Sequence, residues 1–151
     1  MTFSPHPWAF ALTLSTAAVA FGCSSSSPSS SSSPADTAPT FTEVYTEVMV
    51  PHGCNAHHIA TGPDDFLDMS TQANAYKNLV GVKADGPACK TSGLTRVVPG
   101  NASQSLMYEK VSESTPPCGK QMPYGCSGTS CLSASEQAEI EDWINAGAMN
   151  N

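Results

Sequence analysis

Hydrophobic positions fall into three regimes along the 151 residues. Residues 10–21 form a mainly apolar run rich in Ala and Leu. It is shorter than a helix that spans a bilayer and has the length of a secretory leader's apolar region. Residues 24–39 are almost entirely Ser, Pro, Ala and Thr, a composition that cannot bury enough apolar surface to fold and that reads as a flexible tether. From Thr40 onward, apolar residues recur at helical spacing.

The first stripe is Phe41, Val44, Tyr45 and Val48 at i, i+3, i+4 and i+7. Thr40-Phe41-Thr42-Glu43 opens it as a capping box, and Pro51-His52-Gly53 ends it. Gly62-Pro63-Asp64-Asp65 is a turn signal. A second helix is expected from Ser70 or Thr71 to Val80, with Ala73, Tyr76, Leu79 and Val80 inward. Residues 86–93 read as loop, and Val97-Val98-Pro99-Gly100 as an extended piece before a turn. Asn101 is placed to cap a third helix carrying Ser105, Leu106, Tyr108 and Val111. Residues 116–131, rich in Gly, Pro and Cys, read as irregular. Ser133-Ala134-Ser135-Glu136 is a second capping box, opening a terminal helix with Ile140, Trp143 and Ile144 on its apolar face and Gly147 at its end. No strand pattern or internal repeat stands out. The expectation is a mainly α fold with long, disulfide-stapled loops: one domain at 40–151, after a leader at 1–22 and a tether at 23–39.

Charge narrows the partners. Six Lys and Arg against thirteen Asp and Glu give a net charge of −7, and every Lys and Arg falls after residue 76. That argues against a nucleic-acid partner, which requires a basic face, and permits a basic protein partner. Cysteine usage points to an oxidising compartment. Ala20-Phe21-Gly22-Cys23 resembles a bacterial lipoprotein cleavage site, in which Cys23 becomes the lipidated N-terminus. The leader carries no Lys or Arg, only His6, so an ordinary secretory signal is the other reading. A lipid on Cys23 would anchor an exported protein to the cell envelope, as an outer-membrane lipoprotein facing the periplasm or the exterior. Of the remaining cysteines, Cys89, Cys118, Cys126 and Cys131 suffice for two disulfides. Three pairings are open, of which Cys126–Cys131 with Cys89–Cys118 is favoured, leaving Cys54 over.

Cys54 begins the most informative segment, Cys54-Asn55-Ala56-His57-His58. A c-type haem site reads C-x-x-C-H, so this segment differs only in holding His57 where the second thiol belongs. Further along come Arg96-Val97-Val98-Pro99-Gly100-Asn101, Ser105-Leu106-Met107-Tyr108, Met122-Pro123, and Trp143-Ile144 followed by Ala146-Gly147-Ala148. In this order they resemble cytochrome c domains of exported bacterial proteins, closest to the planctomycete- and myxobacterial-type cytochrome c-like domains. The resemblance spans nearly all of 41–148. It implies a small helical cytochrome c-like fold in which the first and last helices cross near a haem c. It also implies Cys54 as thioether anchor, His58 as proximal iron ligand and Met122 as distal ligand. His57 departs from the pattern: an imidazole forms no thioether, so attachment rests on Cys54 alone or the haem has been lost.

Other readings attach to the same residues. A haem-less descendant would serve as a disulfide-stabilised interaction domain of the cell envelope. His52, Cys54, His57 and His58, with Met122, could instead form a copper or zinc site. Asp64, Asp65 and Asp68 lack EF-hand spacing and read as turn and cap residues. Arg96 would pair with a haem propionate or with an acidic side chain, and Phe41, Tyr45, Tyr76 and Trp143 would line a haem pocket or fill the core. No nucleophilic triad, phosphate loop or carboxylate pair stands out. The chain therefore reads as an electron-transfer or binding module rather than an enzyme, with a redox partner the sequence does not name.

Overall fold

Thr40 shows how the helices begin. Its hydroxyl accepts from the Glu43 amide at 3.1 Å while its own amide donates to Glu43 Oε2 at 2.7 Å, so two of the unpaired donors at the helix start are satisfied. The computed structural model describes residues 38–62 and 65–151. The leader, Cys23 and all but the last two tether residues lie outside them, as do Pro63 and Asp64.

Helix α1 (Phe41–Glu43) runs straight into a π-helical segment, Val44–Met49, whose widened turn closes with the Val50 amide on the Tyr45 carbonyl at 3.0 Å. Gly53, at φ +70°, takes the left-handed conformation that glycine adopts without strain and starts the one-turn helix α2 (Cys54–His57). Thr71 caps α3 (Gln72–Leu79) through the Asn74 amide, 3.2 Å. Its buried face is Ala75 and Leu79, four residues apart; Ala73, expected inward, is exposed because it sits two residues from Ala75 and so on the other side of the helix.

The third helix also differs from expectation. Asn101 caps only a 3₁₀ turn, Ala102–Gln104, and α4 (Leu106–Ser112) starts afresh after Ser105. Ser105 is fully buried and extended; its hydroxyl accepts from the Val98 amide and donates to the Asn101 carbonyl, both at 2.8 Å. The next two amides bond across to Thr95 and Arg96 rather than back along a helix. These cross-links produce isolated bridges, and no strand forms among the described residues. A 3₁₀ turn at Gly128–Ser130 precedes α5 (Ala134–Asn145), which opens on the Ser133/Glu136 capping box and ends at Gly147, φ +110°. Among the described residues no helix is long and apolar enough to cross a membrane.

The core joins the two ends of the domain. Phe41, Val44, Ile144 and Trp143 are at most 1 % exposed, and the Phe41 ring lies 5.0 Å from Trp143, 5.2 Å from Tyr76 and 6.2 Å from Tyr45. The Trp143 indole donates to the Met149 carbonyl and the Phe41 amide to the Asn151 side chain. Two disulfides, Cys89–Cys118 and Cys126–Cys131, staple the loops. With separations of 29 and 5 residues, chain-entropy arguments give them about 3–4 and about 2 kcal/mol.

Two outcomes follow from this packing. Phe41→Ala removes a fully buried ring and should lower unfolding stability by about 3–5 kcal/mol in urea titration. The Glu43 and Glu136 carboxyls are held below the ordinary value of 4.5 by hydrogen bonds from Thr40 and Ser133, with His52 adding to the effect at Glu136. A carboxyl lowered on folding contributes fully above its unfolded value and loses that contribution as the pH falls through the folded value. Glu136→Gln should therefore destabilise the domain near pH 7, and the gap from wild type should close as the pH drops below about 4.

Candidate functional site: an apolar cavity behind the Cys54–His58 segment

The left-handed turn at Gly53 and the non-helical backbone of His58 leave α2 as a short shelf. Its backbone is held by the His58 amide on the Cys54 carbonyl at 2.9 Å and by the Met69 amide on the His58 carbonyl at 2.8 Å. Cys54, His57 and His58 border a cavity of about 710 Å³, within the range of roughly 300–1,000 Å³ usual for cofactor and ligand sites. Its far walls come from separate elements: Val48 and Met49 of the π segment, Leu79 of α3, Leu106, Met107 and Val111 of α4, and Ile140 of α5. The loop after α4 brings Met122 to the same cavity, its amide bonded to the Lys110 carbonyl at 2.7 Å.

The three residues read as haem ligands and anchor, Cys54, His58 and Met122, thus meet at one cavity from positions up to 68 residues apart. Cys54 is half-buried and is the one free cysteine among the described residues. Burial pushes its thiol up to about 11, so at neutral pH it is protonated. His57, in place of the missing thiol, is exposed. His52 reaches the cavity too, but its Nε2 is engaged by Glu136 Oε1 at 2.9 Å. No three His, Cys, Asp or Glu side chains among the described residues gather to hold a metal ion, and the set of His52, Cys54, His57 and His58 does not converge on one point.

Arg96 is 6 % exposed and borders the cavity, yet its guanidinium is spent on Asp85 and on the carbonyls of Asn78 and Phe66. The acidic partner is the one it has. Asp68 accepts from the Ser70 amide and the Asn74 side chain as a turn and cap residue. Phe41, Tyr45, Tyr76 and Trp143 belong to the core and do not border the cavity.

Two features escaped sequence reasoning. Four methionines, Met49, Met69, Met107 and Met122, border the cavity, giving it an adaptable thioether lining. The charged side chains there are Arg96, Lys110 and Lys120, and no carboxylate of the described residues joins them, although acidic residues outnumber basic ones in the chain. Periodicity would have pointed to Met107 beside Leu106 and Val111; nothing in the sequence marks Lys110, whose partners are loop carbonyls.

Compared with protein-family models, with curated proteins and with solved structures, the chain matches none.

The buried thiol supplies a direct check. Iodoacetamide at pH 8 should leave Cys54 unmodified in the folded, oxidised protein and alkylate it once guanidinium unfolds the chain without reductant, as read by peptide mass spectrometry. Fast labelling of native Cys54 would contradict its placement.

Proposed function

We propose that this chain is an exported, lipid-tethered cytochrome c-like domain that binds haem and passes single electrons, with no substrate to turn over. The observation that carries the reading is the convergence of Cys54, His58 and Met122 on one apolar cavity of cofactor size. Cys54 would anchor the porphyrin by a single thioether, and His58 and Met122 would ligate its iron. Haem, when bound, supplies a one-electron iron couple, and a His/Met ligand pair places that couple at a raised potential. The chain's own contribution is an apolar wall from α3, α4 and α5 that keeps water from the ligands. Cys23 and the Ser-rich stretch would hold the domain off the membrane, at reach of a redox partner in the cell envelope.

A second reading keeps the fold and drops the cofactor. It is favoured by the aromatic side chains of the core, which pack on one another without bordering the cavity, and by the two disulfides, which together give the domain a means of folding without a ligand. In that case the domain is a cell-envelope binding module.

Expression with its leader in a bacterium that carries cytochrome c maturation proteins separates the two. A pyridine haemochrome of the denatured, washed protein should show covalent haem, with an α band to the red of a two-thioether haem because one vinyl group stays conjugated. His57→Cys should move that band to the blue, and Cys54→Ala should release the haem to acid acetone. A folded, oxidised wild-type domain without covalent haem would sink the first reading in favour of the second.

A further inference from the structure

We propose that Lys110 is a positioning residue that sets where Met122 stands in the cavity wall. Its importance for iron ligation rests on the haem reading above; the clamp itself does not.

Lys110 holds the loop at 118–122 from three sides. Its backbone carbonyl accepts from the Met122 amide at 2.7 Å. Its ammonium donates to the Cys118 carbonyl at 2.9 Å and to the Lys120 carbonyl at 3.0 Å. Those two carbonyls flank Gly119, which sits at φ +68°. A Cβ on Gly119 would stand 2.9 Å from Lys110 Nζ, so the ammonium occupies the space that any larger residue would claim. The left-handed turn aims the carbonyls on both sides of Gly119 at one cation, and only glycine makes that turn without strain.

No carboxylate competes for this cation: the ion pairs of the described residues are His52–Glu136 and Arg96–Asp85. A half-buried ammonium without a counter-ion is costly unless its donors are used, and here they are used to tie a loop. The other end of the loop is fixed by the Cys89–Cys118 disulfide. Between that disulfide and Met122 no regular element supports the chain, so the methionine takes its position from α4 through Lys110.

The test uses the full-length, oxidised protein made without haem attachment, treated briefly with hydrogen peroxide, with methionine sulfoxide mapped by peptide mass spectrometry. Lys110→Met keeps the apolar stem and removes the donors. It should raise oxidation of Met122 about tenfold or more, because the ammonium's bonds to the Cys118 and Lys120 carbonyls are lost together, while Met49, Met69 and Met107 stay at the wild-type rate. Gly119→Ala, which drives a carbon into the ammonium's space, should give the same selective rise. Unchanged Met122 in Lys110→Met overturns the proposal. So does a parallel rise of all four methionines in both variants, which would report general loosening. In wild type that carries haem, the thioether-to-iron charge-transfer band should vanish and the potential fall in Lys110→Met. If wild type binds no haem the functional reading fails, and the peroxide comparison still decides the clamp.

Discussion

The contact between Phe41 and Trp143, ring centroids 5.0 Å apart, closes the chain on itself and sets the frame for everything else. Each ring buried in this way contributes roughly 1.5–3 kcal/mol from burial, and an aromatic pair roughly 0.5–1.5 kcal/mol beyond that. Tyr76 extends the junction to α3, and its hydroxyl donates to the Ala148 carbonyl at 3.0 Å. The opening helix, α3 and the closing helix are thereby held by one aromatic knot. The cavity lies beside that knot, bordered by Val48, Leu79 and Ile140 further along the same apolar stripes.

The remaining walls are loops, and their order comes from cross-links rather than periodicity. Cys89–Cys118 ties the middle of the domain to the segment after α4, and Arg96 gathers Asp85, Phe66 and Asn78. Ser105 joins the extended piece at Val98 to the start of α4. A domain with this much irregular chain depends on such buried polar ties, because each leaves a desolvated group behind when it is cut.

Much of this was legible in the chain. Both capping boxes, the stripe of Phe41, Val44, Tyr45 and Val48, the face of Ile140, Trp143 and Ile144, and the Gly147 stop are local patterns, and local hydrogen bonds enforce them. The break at Ser105 was not legible, because the cause is a set of bonds to Thr95, Arg96 and Val98, which no helical window contains. Ala73 misled for a simpler reason: alanine fits either face of a helix, and only the register of Ala75 and Leu79 decides. At the site, the Cys54–His58 motif and Met122 were visible as residue types in order. Their meeting at one site was expected only through the family resemblance and not from their spacing, and Lys110 was not expected at all, because its bonds run to backbone that carries no side-chain signature.

The burial of Cys54 has a consequence for how the disulfides survive. A domain with five cysteines after residue 40 runs a standing hazard: the odd thiol attacks a neighbouring disulfide and scrambles it. Exchange requires the thiolate. With the Cys54 thiol pushed up to about 11, only roughly one molecule in ten thousand presents one at neutral pH. Burial thus keeps Cys54, the one free cysteine among the described residues, from rearranging the two native cross-links, whether or not anything is ever bound beside it.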